Sequence, residues 1–523
     1  MDTDYDAILI GAGHNALAAA LHLSAKGWRV GVFERAEMPG GAVKTGAYTT
    51  PGFRHDWGAM NVSLFAGSPF FAAYGAELQG HGCAFAPVTD CFASVYPDGT
   101  WLGVSTDLDA TCARIAAVSA EDAATWRRLA EAFPDEAPHL FGLLGSPMSA
   151  RALASYGWKT LRAKGRGGTL DFARFLMSSP RAWLTDTFQS EKVRAMLGIW
   201  GMHLDFAPDV AGGAMFPYLE GMANQSFGMV LGQGGADTVV RSLVAAIEAR
   251  GGAVHCGCDV MRIEVAGGRA TGIVLSDGRL VGAKRAVIAG VAPGALHRMT
   301  GGTDDARFDA AMTGWTHAPG TMMIHLAMDG LPDWTAGDDL KRFVYVHVAP
   351  TLQGMAETYA EAVDGMLPAA PGLVVGQPTA VDPSRAPEGK HVLWIQVRMA
   401  PGTIRGDAAG EIAATDWAEA AEPFADRALD LLDTYAPGTR GKIVGRRIVS
   451  PAALEAENPN LVGGDQVCGS HHLRQHFLYR PARGHADGST PIRDLHLTGA
   501  AVWPGGGTGA APGYLLGRKL AGH

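Results

Sequence analysis

At 523 residues the chain is longer than one ordinary core requires, and its length points to roughly two to four domains. It is 47% hydrophobic and 18% charged, with 70 glycines, which excludes a disordered chain, and a net charge of −9 is too small and of the wrong sign for a nucleic-acid partner. The six cysteines are scattered, and Cys256 and Cys258 form C-x-C rather than the C-x-x-C of redox pairs and zinc knuckles, so all six are read as reduced and packed.

The opening "MDTDYDAILIGAG" has acids where a secretory leader needs basic residues, and no run of 18 apolar residues occurs anywhere. The expectation is a soluble cytoplasmic protein, with peripheral membrane contact left open.

Residues 7–10 form a short apolar run, as a buried parallel strand requires. Gly11-x-Gly13-x-x-Ala16 follows, then a helical pattern at Leu17, Ala20, Leu21 and Leu23 that Gly27 ends. Residues 29–33 are a second strand, and Glu34 stands at its end, 21 residues after Gly13. Each part has a mechanical reason. Gly11 makes the tight turn, Gly13 lets backbone approach a pyrophosphate, and small Ala16 lets helix pack on strand. The pyrophosphate sits on the helix N-terminus, and Glu34 takes the ribose hydroxyls of an adenosine. A second glycine turn, Gly40-Gly41, comes soon after Glu34, where NAD dehydrogenases continue into another helix. That favours FAD, with Arg35, Gly40, Gly41 and Ala42 as further contacts. His55 and Asp56 in "GFRHDWGA" follow this turn and are candidates for structure, for flavin contact or, for His55, for catalysis.

The segment 151–188 sets Lys159, Arg162, Lys164 and Arg166 among aromatic and aliphatic residues. A solvated loop between helices is the expectation, and a peripheral membrane patch is the alternative. Residues 237–250 form an amphipathic helix with Val239, Val240, Leu243, Val244 and Ile247 on its apolar face. Residues 253–260 read as a strand. A meander follows with turns at Gly267-Gly268 and Asp277-Gly278, and residues 286–289 form another buried strand that closes at Gly290, a further cofactor candidate.

His325 alternates with apolar residues in "TMMIHLAM" and is read as a core histidine on a strand, with a base as the catalytic alternative. His472 and His476 are spaced i, i+4, which suits a metal if they lie on a helix, but no third ligand is near and no metal site is expected. Tyr479 and Arg480 are candidates to orient a polar substrate end. At the C-terminus, "LHLTGAAVWPGGGTGAAPGYLLGRKL" carries seven glycines. Residues 495–498 read as a strand, and Gly499-Ala500 brings backbone beside the cofactor. Gly505 to Gly507 turn the chain, and Gly509, Ala510 and Ala511 open a last helix with Pro512 in its first turn. The free N–H groups of that helix would face the flavin edge where negative charge develops. Trp503 is a candidate wall of the pocket.

The N-terminal fingerprint with Gly40-Gly41, the helix-strand-meander and "LTGAAVWPGGGTGAAPG" together resemble the phytoene-desaturase-type FAD-dependent oxidoreductases. They resemble in particular the branch containing pyridine nucleotide-disulfide oxidoreductase domain-containing protein 2, as do "NPNLVGGD", "RP" at 480–481 and "VDPSRAPEGKHVLWIQV". The resemblance covers most of the chain and is weakest over 75–225 and 300–370. It implies an α/β fold: a glutathione-reductase-like FAD-binding Rossmann domain built from residues 1–70, 231–295 and 491–523, with an inserted α+β substrate domain from 71–230 and 296–490. It also implies that the Val260 backbone contacts the adenine. Two departures stand out: Ala16 replaces the third glycine, and Trp503 replaces a histidine common among relatives.

With one dinucleotide fingerprint and no second, no NAD(P)H site is indicated, and electrons would pass to an acceptor such as oxygen or a quinone. The expected activity is FAD-dependent dehydrogenation of a largely apolar small molecule. The alternatives are a carotenoid desaturase or isomerase at the membrane, a flavin amine or alcohol oxidase, and a protein that keeps FAD only to bind a partner.

Overall fold

The computed structural model describes residues 5–522. Its first sheet runs in the order Val260–Ala266, Arg269–Leu275, Leu280–Ala289, Tyr5–Ile10, Val30–Phe33, Ala253–His255, with Leu495–Leu497 also pairing to Leu280–Ala289. Tyr5–Ile10 pairs in parallel with Leu280–Ala289 on one side and Val30–Phe33 on the other. It is buried on both faces, as its unbroken apolar run requires.

Two boundaries differ from the sequence reading. The strand expected over 253–260 ends at His255, because Glu34 N and Cys258 N turn to the carbonyls of His255 and Glu34, and Val260 opens the next strand. The meander's last strand and the strand at 286–289 are one continuous element. Its first half lies antiparallel to Arg269–Leu275 and half exposed, and its second half lies parallel to Tyr5–Ile10 and buried on both faces.

The helices His14–Ala25, Asp237–Ala249 and Ala511–Ala521 cover one face of this sheet through Leu17, Leu21, Val239, Leu243 and Leu516. The first and last of these approach so closely that a β-carbon on Gly513 would lie 1.7 Å from the Asn15 carbonyl oxygen. Their N-terminal ends therefore lie side by side.

The second sheet has the order Ile443–Val449, Gly320–Met328, His391–Ala400, Gly372–Gly376, Tyr345–Val348, Asp90–Val95, Trp101–Ser105. Alternation along its strands sorts two unlike faces. Met322, Ile324, Leu326, Val346, Val375, Ile395 and Val397 form an aliphatic face under the helix Trp417–Tyr435. Met323, Tyr345, Val374 and Trp394 point the other way, toward the helices Glu191–Met202 and Met215–Phe227.

The segment 151–188 is not a loop. It forms Ala150–Met177, broken at Gly165 (φ 67°), and Pro180–Thr187. Ser149 and Ser179 cap the two starts by accepting from Ala152 N and Ala182 N, and most residues between the glycines are good helix formers. His472 and His476 lie outside any α-helix, on either side of the short turn Leu473–Gln475, so their spacing does not put them on one face. Among the described residues no group of three or more His, Cys, Asp or Glu side chains could hold a metal ion. No helix among them is long and apolar enough to cross a membrane.

Candidate active site

The sequence-derived glycines converge at the C-terminal edge of the first sheet. Gly11 (φ 87°) brings the chain against Gly290, where a β-carbon would come within 3.3 Å of the Gly290 oxygen. A β-carbon on Gly290 would in turn lie 2.9 Å from Ile10 O and 3.4 Å from the Ala16 methyl, so Ala16 fills the contact that a third glycine leaves open. Gly13 is different: a β-carbon there meets nothing within 4 Å. It precedes the helix His14–Ala25 with no side-chain cap, and the first-turn amides have no acceptor within the helix. The second turn is joined to the first, since Gly40 N donates to Ala12 O at 2.9 Å and Gly41 (φ 60°) abuts the Gly13 α-carbon.

Glu34 accepts from Ala12 N at 2.7 Å and Ala36 N at 3.0 Å. Its carboxylate is thereby held in place with lone pairs left for a diol. Beside it, Arg35, Ala36, Glu37, Met38, Lys44, Asp259 and Glu457 line a cleft of about 330 Å³. The Arg35 guanidinium donates to Ala456 O, and buried Lys44 pairs with Glu457 at 3.0 Å. Ala42 O accepts from Ala59 N, and Val260 is buried at the start of its strand.

The C-terminal glycines divide by what they touch. Gly499 (φ 102°) faces open space. Gly505 and Gly506 instead make room for His471 and Val467, where β-carbons would come within 2.4 and 2.9 Å. Gly513 and Gly517 make room for the first helix. Ala510 stands in the left-handed region (φ 58°) just before Ala511–Ala521, with Gly509 against Leu64. His14 Nε2 donates to Gly507 O at 3.1 Å and so ties the two glycine loops together. Burial holds His14 down to about 4, the bond to Gly507 opposing it, so the ring is neutral at pH 7. Ala500 O is held by Arg480, at 3.0 Å from Nε and 2.7 Å from Nη2. Arg480 also donates to the carbonyls of Val467, Gly469 and Ser470 and is fully buried, so it braces this loop rather than orienting a substrate.

His55 and His325 come together, with rings 5.6 Å apart, and His325 also stacks on Trp57 at 5.8 Å. Burial, and then Arg385, holds His55 down to about 4, and burial keeps His325 far below the usual imidazole range. Both rings are therefore neutral at pH 7. Asp56 is structural: it accepts from Thr45 Oγ1 and Ala236 N and pairs with buried Arg385, which also pairs with Asp382. That network joins "HD", "GGAD" and "VDPSR". Trp503 lies apart from these histidines, with its indole N–H on Ser146 O at 2.9 Å and its ring stacked on Phe477.

Several residues escaped the sequence reading. Asn460 donates to Gly290 O and accepts from Ala292 N, which pins the loop after Leu280–Ala289. On the inner face of the second sheet, Tyr345, His347 and Trp394 cluster with Trp200 and His203 at ring separations of 4.8 to 6.2 Å. Glu220 is nearby on Met215–Phe227, pushed up to about 7 by burial against an opposing bond from Asn224. The signal was present as alternation: "YVHV" and "LWIQVR" place aromatic and polar residues on one face and aliphatic ones on the other.

The glycine cradle, the free helix amides and the fixed Glu34 carboxylate fit a dinucleotide. A family model described as flavin containing amine oxidoreductase matches residues 17–422. Pyridine nucleotide-disulfide oxidoreductase domain-containing protein 2 of Rattus norvegicus is 27% identical, covering 98% of this chain and 92% of its own. The neurosporene-forming phytoene desaturase of Cereibacter sphaeroides is 24% identical over 97% of this chain and 92% of its own. An oxidoreductase from Methanosarcina mazei has a similar solved structure, with TM-score 0.62 and 19% identity over 97% of this chain and 98% of that one. The phytoene-desaturase resemblance, the α/β fold and FAD as the cofactor all hold, and the chain belongs to the flavin containing amine oxidoreductase family of FAD-dependent oxidoreductases.

Proposed function

We propose that the substrate of this dehydrogenation is a largely apolar small molecule taken between the C-terminal glycine loop and the inner face of the second sheet. When bound, FAD would supply the two-electron chemistry, taking up a hydride from a substrate C–H or N–H bond while a proton leaves separately, so that C=C or C=N results. The observation that carries the reading is that inner face: Trp57, Met60, Phe92, Met323, Tyr345 and Trp394 are buried there in one apolar and aromatic cluster. The neutral state of His55 and His325 supports it, since neither brings a charge into that face. They exclude water and shape the wall more readily than they take a proton, and Trp503 supports the loop from behind.

In the same reading, Gly11, Gly13, Ala16, Glu34, Arg35, Gly40, Gly41, Ala42, Val260 and Gly290 hold the adenosine and pyrophosphate. Gly499, Ala500, Gly509, Ala510 and Ala511 lie along the remainder of the cofactor. The FAD-binding part comprises 1–70, 231–295 and 491–523, and the substrate part 71–230 and 296–490, each contributing most of one sheet. Oxygen or a quinone takes up the electrons. Peripheral contact with an anionic membrane is supported by Ala150–Met177, where Trp158, Leu170 and Met177 are 61%, 72% and 60% exposed. Arg151, Lys159, Arg162 and Arg166 of that helix pair with no acid among the described residues.

The test is the visible spectrum of the purified protein, followed by anaerobic addition of apolar alcohols, amines and polyenes. Flavin bands that one apolar class bleaches are the expected result. Bands that only strongly polar compounds bleach overturn the substrate class, and no flavin uptake overturns the site.

A further inference from the structure

A second cleft, of about 860 Å³, lies between the helix Ala306–Thr313, residues 314–316 and residues 474–485. That volume suits a small molecule rather than a protein segment. Its walls carry Arg307, Arg474 and Arg483. Arg307 and Arg483 enter no ion pair among the described residues, although the chain has 52 acids, and Arg474 donates only to Thr316 Oγ1 at 3.1 Å. The one carboxylate at the rim, Asp305, is engaged by the amides of Arg307 and Phe308 at 2.9 and 3.1 Å as the cap of the helix.

The remaining walls are planar. Tyr479 is 49% exposed, Phe308 meets His485 edge-on at 5.0 Å, and Trp315 carries the Arg480 guanidinium 5.2 Å above its ring. Trp315 also packs against Ala500 and Ala501, so one indole separates the cleft from the loop assigned above to the cofactor. Arginine forks recognise oxyanions, and arginine and aromatic faces stack on rings.

We propose that this cleft binds a small planar aromatic molecule bearing an oxyanion, either phosphate or carboxylate, at a site separate from FAD and substrate. Arg307, Arg474 and Arg483 take the oxyanion, and Tyr479 and Trp315 face the ring.

The experiment is isothermal titration of the FAD-loaded protein with AMP and with benzoate, against adenosine and benzamide as uncharged counterparts. The FAD-loaded form keeps AMP out of the cofactor's own site. Binding of at least one acid with Kd below about 1 mM, at least about tenfold tighter than its uncharged counterpart, is expected. The two arms separate phosphate from carboxylate. The double variant Arg307→Gln/Arg483→Gln should weaken that binding about tenfold or more with an unchanged flavin spectrum and Tm, since both side chains are exposed. The proposal is overturned if neither acid binds, if the uncharged counterparts bind equally well, or if the double variant binds like the wild type.

Discussion

A β-carbon at Gly13 meets only open space, whereas one at Gly513 collides with the Asn15 carbonyl oxygen, so the glycines at the starts of the first and last helices serve different ends. Gly13 has an ordinary φ of −67° that alanine accepts. Gly13→Ala should therefore leave the Tm of the apoprotein within a degree or so while weakening FAD, because the methyl enters the space proposed for the pyrophosphate. Gly513→Ala must push two packed helices apart and should cost about 1–3 kcal/mol or more in urea denaturation, with FAD lost as a consequence. Equal behaviour of the two variants would show that the division is wrong. The tight turn at Gly11 and the open approach at Gly13 were legible from spacing alone, because a fingerprint is local. Gly505, Gly506 and Gly513 are needed for neighbours 34 to nearly 500 residues away, and no local pattern announces such contacts.

The helix Ala150–Met177 buries only Thr160 and Phe172 fully, an unusual economy of packing for 28 residues. With its unpaired cations and exposed Trp158, Leu170 and Met177, it should carry the protein onto anionic vesicles in a co-sedimentation assay and release it as salt rises. Lys159→Glu/Arg162→Glu/Arg166→Glu should abolish that partitioning with no change in the flavin spectrum. Wild-type protein that stays in the supernatant at low salt would remove the membrane proposal. At this scale the amphipathic helix at 237–249 and the turns of the meander could be read directly from periodicity. The continuity of Leu280–Ala289 could not, because its two halves differ only in which strands lie beside them.

Across the whole molecule, many imidazoles are held without charge. Burial, and for His55 also Arg385, brings His55 to about 4 and His347 to about 3 in the folded state, against about 6.5 when unfolded. The native state thus binds fewer protons than the unfolded chain below pH 6.5. Stability from these residues is full above that pH and falls as pH drops from 6.5 toward 4, by up to something on the order of 3 kcal/mol per histidine. Urea midpoints at pH 7.5 and pH 5 should show the loss, and His347→Gln should reduce the difference between them; an unchanged difference would rule out His347 as a source. The sequence by itself determined the cofactor class, the FAD fingerprint, the strand–helix–strand unit that opens the first sheet and the helix at the C-terminus, because each depends on residues near one another in the chain. Only the tertiary structure decided which histidines meet, that Arg480 is a brace, that Arg385 joins three separate motifs and that one face of the second sheet gathers the aromatic residues. Those are properties of burial and of long-range pairing, and a side chain's neighbours across a sheet are set by register rather than by its position in the sequence.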